Sequence, residues 1–377
     1  MSTARLTFAS TATSTDAYFI AGMTVADAFV GFELRGKFYA VASSLELGNF
    51  RKYSRCDRVR SLESLRDQLG GKASMAGIIA LAVKTAGGRR IVVGEDFPAG
   101  LFLQLKTQLK KVAAVSISKG ALFPERAVKT AEQINEIRKA NRGVAAGIAL
   151  CEKALRASKI KNGKLFYEGK ALTSEFLRGK VQELFLHVGL EPGGDLIIAG
   201  GAQGCDPHCQ GHGVLRANEL IIVDLFAPLQ ATHYWGDMTR TFLRGTPNDA
   251  QAKLVAAVAK AQKTGIRAIK PGITGAEVHA QVAKILTDED YQTKRTKNGY
   301  EGFFHGTGHS LGLDCHDMVR YGYRLGGSGN RLQVNEVYTV EPGLYYPAIG
   351  GCRIEDNGVV TEKGFQLISK APYDWVV

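Results

Sequence analysis

Four carboxylates lie in stretches that otherwise read as buried β-strand. Asp224 follows Ile221, Ile222 and Val223; Asp237 precedes Met238, Thr239, Arg240 and Thr241; Glu341 interrupts the run from Val337 to Leu344; Glu355 closes Gly351 to Ile354. An ionised carboxylate in such company is costly unless something compensates it. Singly, each reads as a strand-end acid in a salt bridge. Four of them together are harder to read that way, and they restrict the chain to folds in which strand acids find a common partner.

A partner is offered by the stretch from Glu301 to Asp317, EGFFHGTGHSLGLDCHD, which sets His305, His309 and His316 among small residues. Gly306, Gly308 and Gly312 allow the backbone to approach a ligand closely. Neutral imidazole is the commonest protein metal ligand and the usual proton shuttle near neutral pH. Four carboxylates with one imidazole, His309, form a hard, oxygen-rich set suited to two divalent ions of the Mn, Co or Zn kind.

The chain of 377 residues is long enough for two domains. With 45% hydrophobic and 22% charged residues it has the balance of an ordinary globular protein. No run approaches a membrane-spanning length, and Asp16 and Asp27 interrupt the N-terminal region where a secretory signal would need an apolar core, so a cytoplasmic protein without a membrane partner is expected. Six dispersed cysteines do not make a disulfide framework. The net charge of +12 is spread along the chain, densest at Arg51 to Arg60, Lys106 to Lys111, Lys159 to Lys164 and Lys294 to Lys297. None of these carries the interleaved aromatics of a single-strand binder, so a solvated basic surface is expected rather than a nucleic-acid partner.

Residues 17 to 50 read as strands with tight connections, clearest in a hairpin of Ala28 to Leu34 and Lys37 to Ala42 around Arg35 and Gly36. Arg58 to Gly70 reads as a helix, then Ala76 to Thr85 (helix), Arg90 to Val93 (strand), Gly100 to Lys110 (helix) and Val112 to Ser116 (strand). The alternation predicts an α/β domain over residues 1–124, ended by Gly and Pro near Lys119 to Pro124. Beyond it, Glu125 to Ser158 predicts one long helix or two, Thr173 to His187 a capped helix, and Pro247 to Lys270 and Thr274 to Leu286 two more. Strands are predicted at Leu196 to Ala199, Leu220 to Leu225, Met238 to Leu243, Glu336 to Leu344, Gly351 to Ile354 and Gly358 to Thr361. Helices flanking a mainly antiparallel sheet, an α+β layout, is the simplest outcome for residues 125–377.

Five separated motifs, IIVDLF, GDMTRTF, FFHGTGHSLGLDCHD, YTVEPGLY and GGCRIEDNGVV, occur in an order that resembles the pita-bread metallopeptidases, the family of Xaa-Pro dipeptidase (prolidase), aminopeptidase P and methionine aminopeptidase. The resemblance covers the whole chain and points to the prolidase and creatinase-like branch, which carries a smaller N-terminal α/β domain ahead of the pita-bread domain. It implies that Asp224, Asp237, His309, Glu341 and Glu355 ligate a binuclear centre, with Asp237 and Glu355 bridging the ions, manganese foremost and cobalt or zinc next. It further implies cleavage of the bond before proline in a dipeptide or short peptide by a hydroxide held between the ions. Glu341 would handle the proton, His316 would stabilise the oxyanion, and His305, His208 and Arg353 would serve the substrate or a neighbouring ligand. Relatives are often homodimers, and a homodimer is the implied assembly.

Two departures bear on substrate preference. Asp224 and Asp237 stand thirteen positions apart, two more than the resemblance suggests, so APLQATHYW is expected to make a longer hairpin loop; and Phe226 replaces the glycine expected two residues after the first aspartate. Cys205, His208, Cys209 and His212 form a compact cluster whose spacing fits no common zinc finger, so a separate zinc site is not expected. The competing functions are a metal-free creatinase-like hydrolase of a small guanidino compound and a non-catalytic binding protein. Retention of all five ligand positions with His305 and His316 argues against both.

Overall fold

The computed structural model describes residues 2–109, 114–192, 194–297, 299–327 and 329–377, which divide into two compact units, Met1–Arg126 and Ala127–Val377. In the first unit the strands are β1 (Thr3–Ala9), β2 (Phe29–Leu34), β3 (Lys37–Ala42), β4 (Arg58–Ser61), β5 (Arg90–Val93) and β6 (Ala114–Ile117). They form one mixed sheet in the order β4-β3-β2-β1-β5-β6. Arg35 and Gly36 turn the β2–β3 hairpin with φ of 57° and 75°, the left-handed conformation that a two-residue hairpin turn needs.

Alternation along β2 decides which helix each face receives. Val30, Phe32 and Leu34 pack with α3 (Leu62–Gln68), α4 (Met75–Thr85) and α5 (Ala99–Gln108), while Phe29 turns to α1 (Thr15–Ala21) and α2 (Leu47–Tyr53) on the other face. Three expectations are corrected here. Residues 15–21 and 47–53 are helices, not strands: Ser14 caps the first by accepting from Ala17 N at 3.3 Å, and Gly22 ends it in the left-handed conformation. Arg58–Ser61 is a strand parallel to β3, and the helix starts only where Ser61 caps Ser64 N. The expected strand positions 112 and 113, with the end of the expected helix at Lys110, lie outside the described residues.

The second unit opens with α6 (Ala131–Ala157), a single helix whose start is fixed by a reciprocal Thr130–Gln133 capping box. Its buried stripe of Val144, Ile148, Cys151 and Leu155 meets Leu177, Val181 and Phe185 of α7 (Ser174–His187). Between these helices in the chain lies a small antiparallel sheet, β7 (Lys159–Lys161), β8 (Lys164–Tyr167) and β9 (Lys170–Ala171). The next sheet, β10 (Ile197–Gly200), β11 (Leu220–Pro228) and β12 (Trp235–Leu243), runs antiparallel throughout. Ile221, Val223 and Leu225 of β11 face α6 and α7, so by the two-residue period Ile222, Asp224 and Phe226 face the opposite side.

Two further helices, α8 (Asp249–Ala268) and α9 (Gly275–Asp288), bury Leu254, Val258, Ala261 and Val282 under the later strands. Those strands are short: β13 (Lys294–Thr296), β14 (Gly299–Glu301), β15 (Gly308–His309), β16 (Arg324–Leu325), β17 (Val337–Val340), β18 (Gly343–Tyr346), β19 (Gly350–Arg353), β20 (Asp356–Thr361) and β21 (Gly364–Leu367). The expected single strand from Glu336 to Leu344 is broken at Glu341 and Pro342, because β17 pairs with β20 whereas β18 pairs with β19. Proline supplies no ladder donor, so the break falls there. The helices cover one side of the strands and leave an acidic side open, which is the α+β arrangement that positions the site.

Candidate metal centre

The five expected ligand residues come from four places in the second unit. Asp224 and Asp237 lie on the same face of β11 and β12, where Asp237 is opposite Phe226 and Asp224 opposite Thr239. His309 ends β15, and Glu341 and Glu355 follow β17 and β19. One ligand atom each from Asp237, His309 and Glu355, all buried, falls within 4.8 Å of the others. His309 Nε2 lies 3.4 Å from Glu341 Oε1 and 3.6 Å from Asp237 Oδ2. Asp224, with Glu341 and the other three, lines a single cavity of about 850 Å³.

Four of the five expected ligand side chains are held from behind as follows. His309 Nδ1 is 3.1 Å from the Ser310 carbonyl, so Nδ1 carries the proton and the Nε2 lone pair points at the acids. Thr239 Oγ1 donates to Glu355 Oε2 at 2.7 Å, and Thr339 Oγ1 to Glu341 Oε1 at 3.4 Å. Gly308 sits so tightly against the Thr339 carbonyl that a Cβ would collide with it, which fixes His309 beside β17. Arg353 donates to Asp224 Oδ2 at 2.6 Å and to the Tyr345 hydroxyl at 2.7 Å. Arg353 is thus paired with Asp224 and Tyr345.

Burial and mutual repulsion set the electrostatics of this arrangement. Burial, then the charges of Asp224 and Glu341, push the Asp237 carboxyl well above its ordinary range. Burial, then Asp237, does the same to Glu355. Burial lifts Glu341 to about 7 even though Arg353 pulls the other way. Burial, then His316, brings His309 down to about 3, so its imidazole is neutral. Asp224 Oδ1, buried in the same place, has no hydrogen-bond partner among the described residues. Four carboxylates facing one guanidinium and a neutral imidazole leave an excess of negative charge that divalent cations fit.

The remaining predicted residues occupy the wall. His208, His305 and His316 all line the cavity. The His316 ring stands edge-on to His309 with centroids 4.3 Å apart. Both nitrogens of His305 are engaged: Nδ1 donates to the Gly306 carbonyl at 2.7 Å, and Nε2 accepts from the Tyr345 hydroxyl at 2.8 Å. Burial, then the Arg353 charge, takes the His305 ring down to about 3. In this geometry neither ring nitrogen is free to face the cavity. Phe226 lines the cavity beside Asp224, with its ring 6.4 Å from that of Trp235. The β11–β12 connection, residues 229–234, closes with His233 at φ 56° and a Leu229 N to Tyr234 O bond of 2.9 Å.

Three positions in the cavity or bonded to its lining escape the sequence reading. Tyr345 reads as packing, yet its hydroxyl joins His305 to Arg353. Cys315, inside the histidine stretch, donates to Asp237 Oδ2 at 3.2 Å. Arg324 lines the cavity, lies opposite His309 across the β15–β16 ladder and makes no ion pair among the described residues. Only the pairing register reveals Arg324, because no motif marks it.

Comparison with known proteins agrees with this geometry. Over 99% of this chain the fold superposes on the crystal structure of the prolidase from Pyrococcus horikoshii OT3, covering 94% of that chain, with a TM-score of 0.77 at 22% identity. It superposes as well on the X-Pro aminopeptidase from Thermotoga maritima MSB8, covering 100% of this chain and 97% of that one, with a TM-score of 0.79 at 19% identity. At these identities the likeness establishes the fold, which is that of the pita-bread metallopeptidases. Residues 135–362 match Metallopeptidase family M24, and the chain belongs to that family. It is similar to the Xaa-Pro dipeptidase of Pyrococcus furiosus, 33% identical over 253 residues, and to that of Pyrococcus horikoshii, 32% identical over 289 residues. The matches span 65% and 74% of this chain, and 64% and 72% of those relatives' lengths. Membership implies divalent metal ions. No helix among the described residues is long and apolar enough to cross a membrane.

Proposed function

We propose that this protein is a metal-dependent peptidase that cleaves the bond preceding proline in Xaa-Pro dipeptides or short peptides. Two divalent ions, manganese foremost and cobalt or zinc next, would be held by Asp224, Asp237, His309, Glu341 and Glu355. The observation that carries this reading is the excess of buried carboxylates around the lone pair of His309, in a chain similar to two Xaa-Pro dipeptidases. Ions at such a site supply Lewis acidity and make water a competent nucleophile near neutral pH.

The side chains divide the rest of the work. Glu341 moves the proton, taking it from the attacking water and delivering it to the proline nitrogen as that leaves. His316, at the exposed side of the cavity, donates to the oxyanion of the tetrahedral intermediate. His208, His305 and Phe226 form the wall against which the substrate lies. Arg353 keeps Asp224 in place. The unpaired Arg324 guanidinium at the mouth suits a terminal carboxylate, which favours dipeptides over longer chains. A homodimer in the cytoplasm is the setting proposed for this activity, checked by sedimentation and fractionation.

The test is a panel of Xaa-Pro dipeptides and longer Xaa-Pro peptides, assayed with each metal. Hydrolysis confined to Xaa-Pro bonds, restored by added Mn or Co after chelation and lost in His309→Ala, is expected. Hydrolysis by the His309→Ala variant at the wild-type rate would defeat the site assignment.

A further inference from the structure

Asp237 lies on β12, which has β11 on one side and, among the described residues, no strand of its sheet on the other. Its outward backbone groups therefore need partners from elsewhere. Both partners are asparagines. Asn141, on the buried stripe of α6 and 1% exposed, accepts from Asp237 N at 3.2 Å through Oδ1. Asn357 on β20, fully buried, donates through Nδ2 to the Asp237 carbonyl at 2.6 Å. The two amides also bond each other reciprocally, at 2.8 and 2.9 Å, and Asn141 Nδ2 reaches the Ile137 carbonyl at 3.0 Å. Both donors and both acceptor positions of the Asn141 amide are thus in use.

The approach that permits this depends on Gly236. A Cβ there would stand 2.6 Å from Ala140 C and from Asn141 N, so the residue before Asp237 has to be glycine for β12 to touch α6. Three separated parts of the chain consequently meet at the backbone of one residue, Asp237, in a place dry enough that the amide bonds are strong and their loss is expensive. Plain structural cross-linking would suit any position along β12, yet the closed network falls on the backbone of the residue whose carboxylate faces His309 and Glu355.

We infer that Asn141 and Asn357 are positioning residues: they lock the Asp237 backbone so that its carboxylate is already set for the metal ions before these arrive. The inference rests on the reading of Asp237 as a metal ligand. Partners of this kind typically change metal affinity by about 10- to 100-fold when removed.

The experiment measures divalent-ion affinity of the full chain, with Mn and Co alone, by competition with a chelator, for wild type, Asn141→Ala, Asn357→Ala and the double variant. Each single variant is expected to bind about 10- to 100-fold more weakly. The double variant is expected to be close to the worse single one, because the amides act as one unit. Val144→Ala, on the same buried stripe of α6, controls for lost stability: it lowers the metal-free melting temperature but leaves affinity within about twofold. If Asn141→Ala does not fold, Asn357→Ser carries the test. Wild-type affinity in the asparagine variants, or an equal loss in Val144→Ala, overturns the inference. Absence of binding by wild type would instead overturn the metal-centre reading beneath it.

Discussion

Replacing Glu341 by glutamine should strengthen the metal-free protein and weaken its hold on metal. In the metal-free fold, burial lifts this carboxyl from 4.5 to about 7. A group whose folded value is raised contributes its stability in full below the unfolded value and loses it as the pH rises through the folded one. Above pH 8, wild-type Glu341 is therefore charged at a cost of about 3 kcal/mol relative to the unfolded chain, from a rise of roughly 2.5 at about 1.4 kcal/mol each. Glu341→Gln keeps the shape and the contact with Thr339 Oγ1 but carries no charge. Chelator-treated protein followed by thermal or urea unfolding should show the variant more stable than wild type by up to about 3 kcal/mol at pH 9, the difference vanishing only as the pH falls below 4.5. Metal titration of the same samples should show weaker binding. A variant that is no more stable at pH 9 than wild type, or one that binds metal as tightly, would refute the account of a carboxylate cluster held against its own repulsion.

Other consequences follow from the same geometry. Apparent metal affinity should rise with pH through about 7, as protons cease to compete for Glu341 and for the likewise raised Asp237 and Glu355; a flat profile between pH 5 and 8 would contradict this. The lowered value of His309, about 3, acts in the opposite sense on the fold, giving stability above pH 6.5 that fades as the pH falls towards 3; His309→Ala should flatten the acid limb of a stability–pH curve. Arg324→Met should raise KM for Xaa-Pro dipeptides about tenfold or more while changing KM for longer peptides little, since one charge-assisted contact is worth about 1.5–3 kcal/mol. Phe226→Gly should widen the set of dipeptides accepted while leaving metal affinity within about twofold of wild type, because the ring lines the cavity without bonding a ligand carboxylate.

The parts of the fold that could be read from sequence were those in which a local pattern and the tertiary outcome coincide. The long helix α6 declares itself by its buried stripe and the Thr130–Gln133 box, and the first hairpin by Arg35 and Gly36. The short first-unit elements were misread where an apolar run such as Ala17–Ala21 suits helix and strand equally and only the Ser14 cap decides. The acids of the site stood out because a charge inside a strand is conspicuous at any distance. What tied them together stayed hidden: Asn141 looks like one polar residue in a helix, Arg324 like one more surface cation, and Tyr345 like packing. Their roles depend on register and on long-range contacts such as Asn141 with Asn357, which no local pattern encodes.

If the carboxylates around His309 hold divalent metal, the metal content of protein purified without chelator and then titrated with Mn and Co, read by elemental analysis per chain, should be two ions per wild-type chain, falling when His309 is replaced by alanine. Wild-type protein that takes up no divalent ion, even with excess Mn or Co, would contradict it.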